Sequence, residues 1–156
     1  MTSASERDQL GRERAYWRRA GLRVAFANGC FDVLHSGHLR LLEEAGSRAD
    51  RLVVAINSDA SVRRLKGPAR PLVPESERAE TLLALEAVDR VIRYDEETPL
   101  ALIRLLLPDV LVKGADWPLD RIVGRAEVEA AGGEVVRVEL VPDRSTTRLV
   151  EQLRQP

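Results

Sequence analysis

Two histidines, His35 and His38, bracket Gly37 in the stretch Asn28-Gly29-Cys30-Phe31-Asp32-Val33-Leu34-His35-Ser36-Gly37-His38, and they are the only imidazoles of the chain. The stretch follows an apolar run, Val24 to Ala27, and opens an apolar-periodic segment, so it reads as strand, tight polar loop, then helix. Side chains three residues apart share one side of a first helical turn, and a glycine between them lets backbone approach a bulky ligand. The free N–H groups of a helix start favour an anion. Imidazole N–H donors suit phosphoryl oxygens, whose charge spreads and grows during transfer. The ordinary alternative is one capping histidine and one core histidine. A metal pair is a third reading, but no Cys or carboxylate grouping stands at zinc-like spacing, so no metal is expected on protein side chains alone. With no other imidazole, a Ser-His-Asp arrangement has nothing else to draw on.

Other loops carry compatible groups. Asn57-Ser58-Asp59 is followed by Arg63, Arg64, Lys66, Gly67 and Arg70, four cations in eight residues, which form either a mobile arm that closes on a polyphosphate or a solvated loop. In Lys113-Gly114-Ala115-Asp116-Trp117, a lysine ends an apolar run, where burial is costly without an anionic partner. Trp117 either stacks on a base or packs on the fold. In Pro142-Asp143-Arg144-Ser145-Thr146-Thr147, hydroxyls at a helix start serve as caps or, with phosphate at the first loop, as a cradle for distal phosphates. Cys30 is either a nucleophile or a small buried side chain at a strand end. The first loop is not G-x-G-x-x-G, and no G-x-x-x-x-G-K-[ST] occurs.

The elements that must position these groups alternate. A leading helix is expected from Ser3 to about Ala20, packed on a domain edge. Strand-like runs follow at Leu22–Asn28, Arg51–Asn57, Asp89–Tyr94, Asp109–Lys113 and Glu134–Val141. Helical patterns lie between them at Gly37–Ser47, Glu75–Ala87, Thr98–Leu107 and Leu119–Ala131, with a last one at Ser145–Arg154 and a long connection after Asn57. Pro74, Pro99, Pro108 and Gly132-Gly133 punctuate this register. Such alternation implies an α/β fold: one Rossmann-like α/β/α domain over residues 21–156, with a five-stranded parallel sheet covered on both faces and an N-terminal helical extension over 1–20. Ligands of an open parallel sheet bind at the carboxyl ends of its strands. The loops after the first, second, fourth and fifth strands are therefore the expected site.

At 156 residues the chain suits one domain with a real core. A formal net charge of −1 offers no general field for nucleic acid or an anionic membrane, so phosphate affinity must be local. One cysteine, no membrane-length apolar run and no signal-peptide pattern lead to the expectation of a soluble, cytoplasmic protein.

The chain resembles the H-x-G-H nucleotidyltransferase superfamily, which includes cytidylyltransferases and small adenylyltransferases, from about Val24 to Leu153. Within it the nearest likeness is to bacterial D-glycero-D-manno-heptose 1-phosphate adenylyltransferases, a domain often fused to a heptose-phosphate kinase. The matching blocks are Asn28 to His38, Asn57-Ser-Asp-Ala60, Arg64-Leu-Lys-Gly67, Arg70-Pro71, Leu85-Glu-Ala-Val-Asp89, Glu97-Thr-Pro99, Pro108 to Gly114, Gly132-Gly-Glu-Val135 and Ser145-Thr-Thr147. Two departures stand out. No sugar-kinase domain is present, so a stand-alone transferase is expected. Glycerol-3-phosphate cytidylyltransferases share a block like Gly114-Ala-Asp-Trp117, but carry Arg-Thr-Glu-Gly where this chain has Val141-Pro-Asp-Arg144.

The resemblance implies transfer of AMP from ATP to a sugar 1-phosphate, giving ADP-heptose and pyrophosphate, with Mg2+ entering on ATP. A cytidylyltransferase for a small alcohol phosphate and a non-catalytic nucleotide-binding module are the rivals. It further implies that His35, His38 and Lys66 are catalytic and that Ser145, Thr146 and Thr147 bind the distal phosphates. Asn28, Gly29, Cys30, Phe31, Gly37, Lys113, Gly114 and Asp116 complete the nucleotide site. Asp32, orienting a histidine or the metal, joins Asn57, Asp59, Arg63 and Trp117 as candidate substrate contacts. A homodimer is expected from the superfamily.

Overall fold

The computed structural model describes residues 4–142 and 145–155. In chain order the elements are α1 (Ala4–Arg19), β1 (Val24–Gly29), α2 (Ser36–Ser47), β2 (Arg51–Asn57), α3 (Asp59–Lys66), α4 (Glu75–Leu83) and β3 (Arg90–Tyr94). They continue with α5 (Leu100–Leu106), β4 (Val110–Gly114), a 3-10 turn at Leu119–Arg121, α6 (Arg125–Ala130), β5 (Glu134–Val138) and α7 (Thr146–Arg154). The five strands form one parallel sheet in the order β3-β2-β1-β4-β5. The chain winds outward from β1 to β3, then crosses back to lay β4 on the other side of β1. The strand order therefore reverses between β1 and β4, and a crevice opens beyond their carboxyl ends.

Alternation along the strands divides the core in two. Val24, Phe26, Val53, Ala55, Ile92 and Leu111 face one side with Leu10 and Trp17 of α1, Leu102, Ile103 and Leu106 of α5, and Val128 of α6. Ala25, Ala27, Leu52, Val54, Ile56, Val110 and Val112 face the other with Leu42 and Ala45 of α2 and Leu82 of α4. Both faces of the sheet are dry, as the crossovers of a parallel sheet require.

Several boundaries differ from the sequence expectation. Instead of lying on an edge, α1 is part of one face: Leu10 is fully buried, and the buried Arg14 donates to the carbonyls of Leu106 and Leu107 and to Asp109. The connection after Asn57 holds a helix, α3, capped by the Ser58 hydroxyl on the Ser61 N–H. The expected helix over 119–131 is split at Gly124, which has φ 85° and approaches Ile103 so closely that a Cβ would lie 2.7 Å from it. β5 stops at Val138 because its partner β4 ends at Gly114, which leaves Glu139 to Val141 without a neighbouring strand. α4 stops at Leu83, short of Ala87. Ser3, Asp143 and Arg144 of the sequence expectations lie outside the described residues.

Candidate active site

The start of α2 explains the histidine spacing. The His35 Nδ1 accepts the Gly37 N–H at 3.0 Å, while the His38 Nδ1 accepts the His35 N–H at 3.3 Å, so two imidazoles form a reciprocal capping box. An Nδ1 that accepts leaves the neutral ring proton on Nε2, where it is available as a donor. The rings stack with centroids 3.8 Å apart, and Phe31 lies against His38 at 5.1 Å. Burial, the neighbouring His35 and Lys66 together lower the His38 pKa to about 4, so this ring is neutral near pH 7. The capping reading and the anion-donor reading are thus compatible. Phe31 itself sits at φ 48°, a strained conformation for a bulky residue, held where the chain turns from β1 into the loop. A Cβ on Gly29 would come within 3.1 Å of the Phe31 ring.

One concave site of two adjoining lobes lies at the strand ends. They share Asn28, Gly29, Cys30, Phe31, His38, Lys66, Lys113, Trp117 and Thr146. The first lobe, ≈ 330 Å³, adds His35, Gly37, Gly114, Asp116, Leu140, Val141, Ser145 and Thr147. The second, ≈ 420 Å³, extends over the ends of β2 and β3 and adds Asp32, Asn57, Leu65, Tyr94, Glu97, Thr98, Pro99 and Arg121.

Lys113 is mostly buried at the end of β4. Burial lowers its pKa, Asp116 opposes that shift, and its Nζ lies 5.0 Å over the Trp117 ring. Lys66, in the last turn of α3, makes no hydrogen bond or ion pair with any described residue. The Ser145 Oγ caps α7 by accepting the Arg148 N–H at 3.1 Å, which leaves its own proton to donate. The buried Thr146 hydroxyl donates to the Val33 carbonyl at 3.1 Å and so ties the fifth-strand loop to the first. Asn57 accepts from Tyr94 at 3.1 Å and the Cys30 thiol at 3.5 Å, and donates to Ser61. Burial raises the Cys30 pKa, which removes the thiolate a nucleophile would need.

Other expected residues are placed elsewhere. The Asp32 carboxylate, though it lines the second lobe, is hydrogen-bonded to no histidine: it takes Arg70 Nε at 2.6 Å and the N–H groups of Leu72 and Val73. These bonds, with the Arg70 charge, hold its pKa below the ordinary range despite burial. Asp59 pairs with the buried Arg78 at 2.8 Å and accepts the Glu75 N–H. Arg63 is exposed and outside both lobes, and Arg64 binds Asp95. The four-cation arm therefore sends Lys66 alone to the site. Among the described residues, no group of three His, Cys, Asp or Glu is placed to hold a metal ion. Tyr94 and Thr98 stand at the end of β3, a strand end outside the four expected loops although the same rule covers it, and Arg121 and Leu140 follow β4 and β5 without a motif to mark them.

Comparison with known proteins agrees with this geometry. The family model described as Cytidylyltransferase-like matches residues 26–151. The "Bifunctional protein HldE" of Mesorhizobium japonicum is 56% identical over 140 residues, covering 90% of this chain and 28% of that protein. The protein of the same name from Gluconacetobacter diazotrophicus is 52% identical over 152 residues, covering 97% of this chain and 31% of its own. The chain thus spans less than a third of the length of these relatives. Among solved structures, the lipopolysaccharide core biosynthesis protein from Thermoplasma volcanium matches with TM-score 0.62 at 30% identity, covering 78% of this chain and 98% of that one. Pantoate-beta-alanine ligase from Francisella tularensis has the same fold, with TM-score 0.60 at 13% identity over 96% of this chain and 78% of its own. With a matching model over most of its length and the paired histidines at the start of α2, the chain belongs to the cytidylyltransferase-like family.

Proposed function

We propose that this chain is an adenylyltransferase that moves AMP from ATP onto a heptose 1-phosphate, releasing pyrophosphate and forming ADP-heptose. The observation that carries this is the convergence of the paired imidazoles, Lys66, Lys113 and the Ser145–Thr147 hydroxyls on one site at the strand-order reversal. The similarity to the HldE proteins supports the sugar assignment.

An oxygen of the acceptor phosphate attacks the α-phosphorus in line, the bond to the β-phosphate oxygen breaks, and pyrophosphate leaves with that electron pair. A phosphate monoester has a second pKa near ~6, so the attacking oxygen is largely ionised at neutral pH and needs no general base. His35 and His38 donate from Nε2 to the oxygens of the α-phosphate as charge shifts towards the leaving group. Lys66 and Lys113 neutralise the phosphates, and Ser145 and Thr147 receive the distal phosphates. With cations, hydroxyls and the single Asp116 carboxylate in the first lobe, and no three-carboxylate or histidine group among the described residues, the site fits Mg2+ that would enter on the triphosphate and would offset phosphate charge there. The reading extends to a cytoplasmic enzyme acting as a homodimer.

Pyrophosphate release measured with ATP and with CTP, each offered heptose 1-phosphate and glycerol 3-phosphate, tests the assignment. The expected maximum is ATP with heptose 1-phosphate. A maximum with CTP and glycerol 3-phosphate makes the chain a cytidylyltransferase, and ATP binding without turnover makes it a nucleotide-binding module.

A further inference from the structure

The loop after β3 holds none of the residues assigned above to the phosphates, yet it lines the second lobe. Exposed Glu97 and Thr98 and buried Pro99 line that lobe together with Lys66 and Lys113 of the shared strip. Their chemistry differs from that of the strip. Among the described residues, neither the Glu97 carboxylate nor the Thr98 hydroxyl makes a hydrogen bond or ion pair, although Arg121 borders the same lobe. An ionised carboxylate accepts hydrogen bonds only and repels further anions. The part of a ligand that reaches Glu97 must therefore present hydrogen-bond donors and no anionic group, and in a sugar phosphate those donors are its hydroxyls. Hydroxyls on adjacent carbons of a polyol meet that need, since two oxygens of one carboxylate can accept from both. The lobe has a polar floor: the buried Tyr94 hydroxyl accepts from Asn28 at 3.3 Å and donates to Asn57 at 3.1 Å.

In-line transfer sets the attacking and leaving oxygens on opposite sides of the phosphorus. With the nucleotide in the lobe of Asp116, Leu140, Ser145 and Thr147, the acceptor extends through the strip into the lobe of Glu97. We propose that Glu97, assisted by Thr98, is the specificity-determining contact for the hydroxyls of the acceptor, so that this lobe holds the polyol body of a sugar 1-phosphate. This rests on the nucleotidyl-transfer reading given above and names the side chain that recognises the sugar.

Steady-state kinetics with ATP and D-glycero-D-manno-heptose 1-phosphate, run on the wild type, Glu97→Gln and Glu97→Ala, test it. Loss of a charge-assisted hydrogen bond raises the acceptor KM about tenfold or more in both variants, while the KM for ATP stays unchanged. The preference for heptose 1-phosphate over glycerol 3-phosphate falls in parallel. Melting curves identify an unfolded Ala variant, in which case the isosteric Gln variant decides. Unchanged acceptor KM, or an equal rise for ATP and acceptor, overturns the role of Glu97 alone. A wild type that releases no pyrophosphate with heptose 1-phosphate overturns the underlying reading and this inference with it.

Discussion

At the start of α2, capping and ligand chemistry use different atoms of the same rings. Each Nδ1 closes the helix end, and the ring proton of a neutral imidazole then lies on Nε2, the atom that carries the proposed phosphate contact. Replacing His38 with Ala should therefore lower kcat by about a hundredfold or more, the usual effect of losing one preorganised donor. Undiminished turnover with lower thermal stability would leave only the cap. Lys66→Ala should lower kcat with the circular dichroism spectrum unchanged, because the exposed Lys66 side chain makes no hydrogen bond or ion pair with any described residue; unaltered kinetics would return it to ordinary surface. The low His38 pKa also has a stability consequence. With a folded value of about 4 against an ordinary 6.5, the unfolded chain binds more protons between these limits, so stability rises with pH across that window and is complete above it. Melting temperatures of wild type and His38→Gln from pH 4.5 to 7.5 check this: the variant should show a shallower rise, and parallel curves would refute it. The histidines, Lys113 and the Ser-Thr-Thr block were legible in the sequence because their spacing relative to strand and helix ends is local. The partners of Asp32 were not legible, because Arg70 and the amides of Leu72 and Val73 lie about forty residues away in sequence.

Among the elements, the strand-end loops are fixed from below by buried charge. Arg78 of α4 is 1% exposed and donates to the carbonyls of Val73, Cys30 and Asn57 and to Asp59, joining the ends of β1 and β2 to the segment before α4. Removing such a group leaves several buried acceptors unpaired. Arg78→Met should cost about 3 kcal/mol or more in urea unfolding, and a loss below about 1 kcal/mol would deny it this role. Asp32 clamps the 70–73 segment in the same way, through Arg70 and the Leu72 and Val73 amides. Strands and most helices were readable from hydrophobic alternation and from proline and glycine punctuation. What escaped were features set by tertiary contact: the break at Gly124 against Ile103, the early end of β5, and the burial of α1 through Leu10 and Trp17.

For the whole molecule, sheet order determines what the residues can do. Placing β4 beside β1 brings Lys113 and the α7 start, distant in sequence, to the paired histidines, while β2 and β3 supply the second lobe. The two lobes meet at a strip that carries Lys66, Lys113 and His38, the arrangement on which the proposed joining of two phosphate-bearing molecules rests. No described helix is long and apolar enough to cross a membrane. The most direct test is phosphorus NMR of the products formed from ATP, Mg2+ and D-glycero-D-manno-heptose 1-phosphate. Resonances of an ADP-sugar and pyrophosphate, appearing in equal amounts, are the predicted result. ADP with free phosphate, or no conversion by a protein that binds ATP, would contradict it.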